Sequence, residues 1–119
     1  MKCLDTYALV EIHNDNPKFS NLLNEEIVIT DITMAEFYTD LFKKYNQQTA
    51  DYWLKKLKSI CKPLSLDTLI KASIFRHINK KENYSYFDAV GYIYSQENNM
   101  IFVTGDKAFK NKNGVEFIA

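Results

Sequence analysis

The chain has 119 residues, 46% of them hydrophobic, with only 3 Gly and 2 Pro and with 15 basic residues balanced by 15 acidic ones. That length suits a single domain, spanning residues 1–119, with a core of its own, and the composition excludes collagen-like, low-complexity and largely disordered chains. A net charge of zero excludes gripping nucleic acid by bulk positive charge, so such a partner must be held locally.

The first residues, Met1 to Asp5, are too short and polar for a signal peptide, and no run approaches the roughly 18 apolar residues of a membrane helix. No membrane partner is expected. Cys3 and Cys61 have neither CxxC spacing nor a neighbouring His, so they are expected as buried thiols of a cytoplasmic protein.

Lys2 to Leu4 reads as a brief buried strand ending at Asp5. Thr6 to His13 suits a short helix, with Leu9, Val10 and Ile12 apolar. Asn14-Asp15-Asn16-Pro17 breaks the chain, and Pro17 is placed to start a second short helix running to Leu23. Glu26 to Thr30 is short and β-branched, which predicts a strand. From Asp31 the period changes. Met34, Phe37, Tyr38, Leu41, Phe42 and Tyr45 recur at three- and four-residue steps and predict an amphipathic helix. Its apolar stripe is wide enough to serve a dimer or a partner helix as well as the core. A further helix is predicted over 47–60, with Tyr52, Trp53, Leu57 and Ile60 inward and Lys55, Lys56 and Lys58 outward. Cys61 to Leu66, with Pro63, reads as a short strand or an extended connector. Leu66 to Lys81 predicts a helix with Leu69, Ile70, Ile74, Phe75 and Ile78 on its inner face, and Ser85 to Asn98 predicts another. Met100 to Val103 is the continuous apolar run of a strand covered on both faces. Thr104-Gly105-Asp106 turns the chain, and Val115 to Ile118 reads as a last strand. Apolar strands alternating with helices predict a parallel α/β sheet with right-handed crossovers.

Four acids stand at telling places in this plan: Asp5 after the first strand, Glu36 and Asp88 in first turns of helices, and Asp106 after the fourth strand. Each alone has a structural explanation. Asp5 and Asp106 suit N-caps, and Thr33–Glu36 and Ser85–Asp88 have the spacing of capping boxes. Together they say more, because residues past the carboxyl ends of the strands of an open α/β sheet gather along one crevice. Carboxylates at about 5 Å repel by roughly 3 kcal/mol per pair at an effective dielectric near 20. A divalent cation relieves that repulsion, and an oxygen-only donor set suits Mg²⁺ or Mn²⁺ rather than zinc. Such a site supports attack of metal-activated water on a phosphodiester.

At these residues the chain resembles the PIN-domain ribonucleases of the VapC-toxin type. The matching segments are LDTYALVEI (4–12), TDITMAEFY (30–38), SYFDAVGYIYS (85–95) and FVTGDKAFK (102–110), in family order over essentially the whole chain. Asp5, Glu36, Asp88 and Asp106 fall on the family's four acidic positions, and Thr104 on the hydroxyl residue before the last acid. The resemblance implies a three-layer α/β/α fold with a central five-stranded parallel sheet. It also implies Mg²⁺- or Mn²⁺-dependent cleavage of single-stranded RNA or exposed RNA loops, a homodimer, and a partner antitoxin inserted in a groove. Thr6 and Thr104 are candidate hydrogen-bond supports for the acids, with turn and cap chemistry as their ordinary role. Lys107 and Lys110 are candidates to meet RNA phosphates, or else belong to a solvated loop. Tyr84, Tyr86, Tyr92 and Tyr94 are expected in packing rather than in base stacking, and His13 and His77 have no partner at catalytic spacing. Three other readings stay open: a PIN-fold module that binds RNA or protein without cutting, a PIN nuclease of RNA processing outside toxin–antitoxin pairs, and a receiver-type phospho-acceptor. The last lacks both the paired acids after the first strand and the acceptor Asp after a middle one.

Overall fold

The computed structural model describes residues 1–119. Five parallel strands form one sheet in the order β3-β2-β1-β4-β5: β1 (Lys2–Leu4), β2 (Ile27–Thr30), β3 (Cys61–Lys62), β4 (Ile101–Thr104) and β5 (Val115–Phe117). Five helices cover it: α1 (Thr6–His13), α2 (Asp31–Lys44), α3 (Gln47–Leu57), α4 (Leu66–Ile78) and α5 (Tyr86–Glu97). The architecture is the three-layer α/β/α plan expected from the sequence. No helix is long and apolar enough to cross a membrane.

The three central strands, β2, β1 and β4, are covered on both faces, so alternate residues enter two different layers. Leu4, Ile27, Ile29 and Val103 join the main core with Leu9, Met34, Phe37, Leu41, Trp53 and Leu57 from α1, α2 and α3. Cys3, which pairs in register with Val28 and Phe102, points to the opposite face. There Phe102 packs with Tyr84 and Phe109. Gly91 lets α5 approach β4: a Cβ at that position would stand 2.8 Å from the Phe102 ring.

All five helices start on a side-chain oxygen that accepts a backbone N–H. The caps are Asp5, Thr30, Asn46, Ser65 and Ser85, serving Ala8, Thr33, Thr49, Thr68 and Asp88 respectively. Each such cap contributes about 1 kcal/mol. Thr30, the last residue of β2, starts α2, so Thr33 is already inside the helix and Thr33–Glu36 is not the expected capping box. Glu36 accordingly sits in the second turn, not the first.

Other expectations also shift. Pro17 to Leu23 forms turns and a short 3₁₀ segment, Ser20–Asn24, instead of a second α-helix. The helices predicted over 47–60 and 66–81 each end in 3₁₀ turns, Lys58–Ile60 and Lys80–Glu82. Phe42, Tyr45 and Tyr52 are exposed. The main correction is in α4. It packs on α5 through Thr68, Leu69, Ala72 and Phe75, whereas Ile70, Ile74 and Ile78 are 47%, 52% and 72% exposed. The apolar residues of α4 cover more of its circumference than one neighbour can bury, and the i, i+4 row Leu66, Ile70, Ile74, Ile78 is left outside.

Candidate active site

The strand order reverses between β1 and β4, since the chain leaves β1 toward β2 and β3 and later returns to the other side of β1. Ligands of open α/β sheets bind in the crevice at such a switch point, beyond the carboxyl ends of the strands. Asp5 ends β1 there, and Thr104-Gly105-Asp106 ends β4 beside it. The starts of α2 and α5 bring Glu36 and Asp88 to the same edge.

Asp5 is 2% exposed. One carboxylate oxygen accepts from the Ala8 N–H at 2.8 Å, capping α1. The other, Oδ2, is buried with no hydrogen-bond partner. Burial pushes the Asp5 carboxyl up to about 8, helped by the charges of Asp88 and Asp106 and opposed by the neighbouring Thr104 hydroxyl and Ala8 amide. Asp88 is pushed up to about 6, first by burial and then by Glu36 and Asp106. Glu36 is raised by burial and by Asp40, against a hydrogen bond donated to its Oε1 by the Thr6 hydroxyl. The four acids thus feel one another, and none of them forms a salt bridge.

Local structure fixes each of them. Ser85 Oγ accepts from the Asp88 N–H at 3.0 Å and starts α5. Thr104 Oγ1 accepts from the Asp106 N–H at 3.0 Å, and an Asp106 carboxylate oxygen accepts from the Ala108 N–H at 3.0 Å. Gly105 lies under the Tyr7 ring, where a Cβ would fall 2.1 Å from a ring carbon. Only glycine lets the turn and Tyr7 share that space.

No three of the carboxylates close on a common point as a finished metal cage. The donor set nonetheless fits a hard divalent cation. It is all oxygen, it includes a buried carboxylate oxygen without a partner, and like charge raises two of its members. A cation at this place would supply the partner that Asp5 Oδ2 lacks and would offset the burial, and the like charge beside it, that hold the two carboxyls up.

Thr6 and Thr104 stand where the sequence placed them, beside the acids. Lys107 is exposed in the 3₁₀ turn after Asp106. Lys110 is turned toward β5, its ammonium 5.7 Å from the Phe117 ring centre. Tyr84 is buried and donates from its hydroxyl to the Ala108 carbonyl at 2.9 Å, and Tyr92 packs with Phe75, Phe102 and Phe109, so both serve packing. His13 packs edge-on to Tyr45 and Trp53. Thr39, Asp40 and Phe87, which the sequence did not single out, and Lys43, expected only on the wet face of its helix, line a pocket with Glu36. The signal was present, since 36, 39, 40 and 43 share one helical face.

Comparison with known proteins bears on this geometry. A family model described as PIN domain matches residues 2–115. A curated "Uncharacterized protein" of Mycoplasma pneumoniae is 34% identical over 74 residues, which is 60% of this chain and 17% of that protein. The chain is thus far shorter than that relative. Among solved structures, a toxin–antitoxin complex from Klebsiella pneumoniae aligns with a TM-score of 0.77 at 18% identity, covering 98% of this chain and 96% of that one. VapC20 of Mycobacterium tuberculosis, described as a sarcin–ricin-loop-cleaving toxin, aligns at 0.78 with 13% identity over 93% and 95% of the two chains. VapBC2 of Rickettsia felis, bound to a DNA fragment from its promoter, aligns at 0.76 with 20% identity over 99% and 98%.

Proposed function

The chain belongs to the PIN-domain family, and from that premise we propose that it is a metal-dependent endoribonuclease, the toxin of a toxin–antitoxin pair. The observation that carries the proposal is the buried, unpartnered Oδ2 of Asp5 at the β1/β4 switch point, facing the charges of Asp88 and Asp106. In this reading Asp5, Glu36, Asp88 and Asp106 hold Mg²⁺ or Mn²⁺, which when bound supplies a water of lowered pKa and neutralises charge developing on the phosphodiester. The protein's own part is positioning. The Ala8 amide fixes Asp5, the Thr6 hydroxyl fixes Glu36, the Ser85 cap fixes Asp88, and Thr104 holds the turn that presents Asp106. Burial of Asp5 and half-burial of Asp88 keep solvent from screening them. Lys107, at the rim, is placed to meet an RNA phosphate, and Lys110 has a weaker claim because its ammonium lies over Phe117.

The toxin role draws support from the similarity to toxin–antitoxin complexes, some of them bound to DNA. It carries with it an antitoxin partner, a cytoplasmic setting and a homodimer. For the homodimer, the exposed row Leu66, Ile70, Ile74, Ile78 is the face that a second copy would cover, because the inclined i, i+4 ridge of one helix packs against the same ridge of its copy across a two-fold axis.

A panel of fluorescent single-stranded RNAs, incubated with Mn²⁺, Mg²⁺ or EDTA, tests the activity. Product is expected from the wild type with metal and from neither Asp88→Asn nor the EDTA samples. Equal cleavage by Asp88→Asn, or cleavage in EDTA, overturns the proposal.

A further inference from the structure

Beside Glu36 lies a pocket of ≈ 350 Å³ lined by Ala35, Glu36, Thr39, Asp40, Lys43 and Phe87. Its floor is the outward face of α2, and its wall is the ring of Phe87, the residue before Asp88. Phe87 forms no ring pair with another aromatic and belongs to none of the buried clusters. It is half-buried and lines the pocket, so part of its side chain, next to the acidic site, is open to another planar group.

The two charged groups on the exposed face of the pocket, Asp40 and Lys43, are unspent. Asp40 and Lys43, one helical turn apart, form no ion pair with each other or with anything else. Side chains at this spacing stand about 5–6 Å apart at Cβ. The Thr39 hydroxyl donates to the Ala35 carbonyl at 2.9 Å, so its oxygen faces outward as an acceptor. Glu36 accepts from Thr6 through Oε1, which leaves Oε2 for the cation rather than for a base. The wall therefore presents a carboxylate and a hydroxyl acceptor beside a single cationic donor and a ring.

Glu36 belongs to the cation site, which leaves Asp40 as the pocket's own carboxylate, and its charge disfavours a phosphate at this wall. The wall favours a base that offers N–H groups to Asp40 and an acceptor to Lys43. Guanine does both on adjoining edges: N1–H and the N2 amino group lie side by side for a bidentate carboxylate, and O6 and N7 are the acceptors that lysine reads. Adenine and cytosine offer only one amino group to a carboxylate. Uracil offers one N–H flanked by two carbonyls, which would face the acceptors.

We propose that this pocket is a base-reading subsite that selects guanine in the RNA strand, stacked on Phe87 and read by Asp40 and Lys43, next to the scissile phosphate. This rests on the ribonuclease reading for its substrate, and its own test is a binding measurement. Guanosine monophosphate, titrated into the isotope-labelled wild-type protein, is expected to shift the amides of Thr39, Asp40, Lys43 and Phe87. It should do so with affinity about tenfold higher than uridine monophosphate and above the adenosine and cytidine compounds. Asp40→Asn should remove the preference without changing the melting temperature by more than the small amount usual for an exposed residue, and Asp40→Glu should restore part of it. Sequencing the ends of products from a random single-stranded RNA pool should show guanine enriched at one fixed position. Equal affinity for all four nucleotides, no shifts at these residues, or an unchanged preference in Asp40→Asn overturns the subsite whether or not RNA is cut. A guanine preference in binding with no cleavage under any metal would keep the subsite and overturn the ribonuclease reading.

Discussion

Asp5 and Asp88 carry most of the electrostatic tension in the molecule. An isolated aspartate sits near 3.8, yet here burial and neighbouring charge push Asp88 up to about 6 and Asp5 to about 8. Both carboxyls bind a proton more tightly in the folded state than in the unfolded one. Without metal, their contribution to stability is therefore fully present below the ordinary aspartate value and is lost as pH rises through about 6 for Asp88 and about 8 for Asp5. Urea unfolding in EDTA should show stability falling between about pH 4 and pH 8, with Asp88→Asn flattening the fall by on the order of 2 kcal/mol. A wild type and an Asp88→Asn variant with parallel profiles would show that Asp88 is not held up by its surroundings. By the same reasoning Asp88→Asn should be at least as stable as the wild type in EDTA at pH 8, although it is expected to be inactive.

Among the elements, α5 bears the closest tolerances. Its first turn is set by the Ser85 cap, which also orients Asp88, and its middle meets β4 at Gly91. Ser85→Ala should cost about 1 kcal/mol, a loss of several degrees in melting temperature. It should also reduce cleavage more than that loss explains, because the carboxylate it positions is freed. Gly91→Ala forces the Phe102 ring to move and should destabilise by about 1–3 kcal/mol, read by denaturant titration. The contrast with α4 is instructive. There the apolar row Leu66, Ile70, Ile74, Ile78 faces outward, so Ile74→Glu should leave the monomer's melting temperature nearly unchanged. If the row is the homodimer face, the same substitution should shift the sedimentation profile from dimer to monomer.

The whole molecule is electrically neutral, but four of its 15 acids meet at one edge of the sheet. A divalent cation bound there stabilises the folded state by mass action. Millimolar Mg²⁺ or Mn²⁺ should raise stability by about 1 kcal/mol or more at neutral pH, visible as several degrees in a thermal scan. An unchanged melting temperature with either ion would count against a metal at this site. Most of this arrangement was legible in the chain. β2 and β4 are short, rich in β-branched residues and apolar on both faces, and all five helices lie where the chain's pattern places them. Asp5, Asp88 and Asp106 stand at element ends whose topology brings them together, and the family resemblance is fixed by local runs around those same acids. What local sequence determined was therefore the parallel α/β class and the residues of the crevice, because strand patterning and capping are properties of neighbours along the chain. Only the tertiary structure decided which apolar residues were left outside on α4. It alone decided that Asp5 keeps an unpartnered buried oxygen, and that Asp40, Lys43 and Phe87 meet around Glu36. Each of these depends on which surface another element covers, and a single helix's periodicity carries no information about how much of its circumference its neighbours will bury.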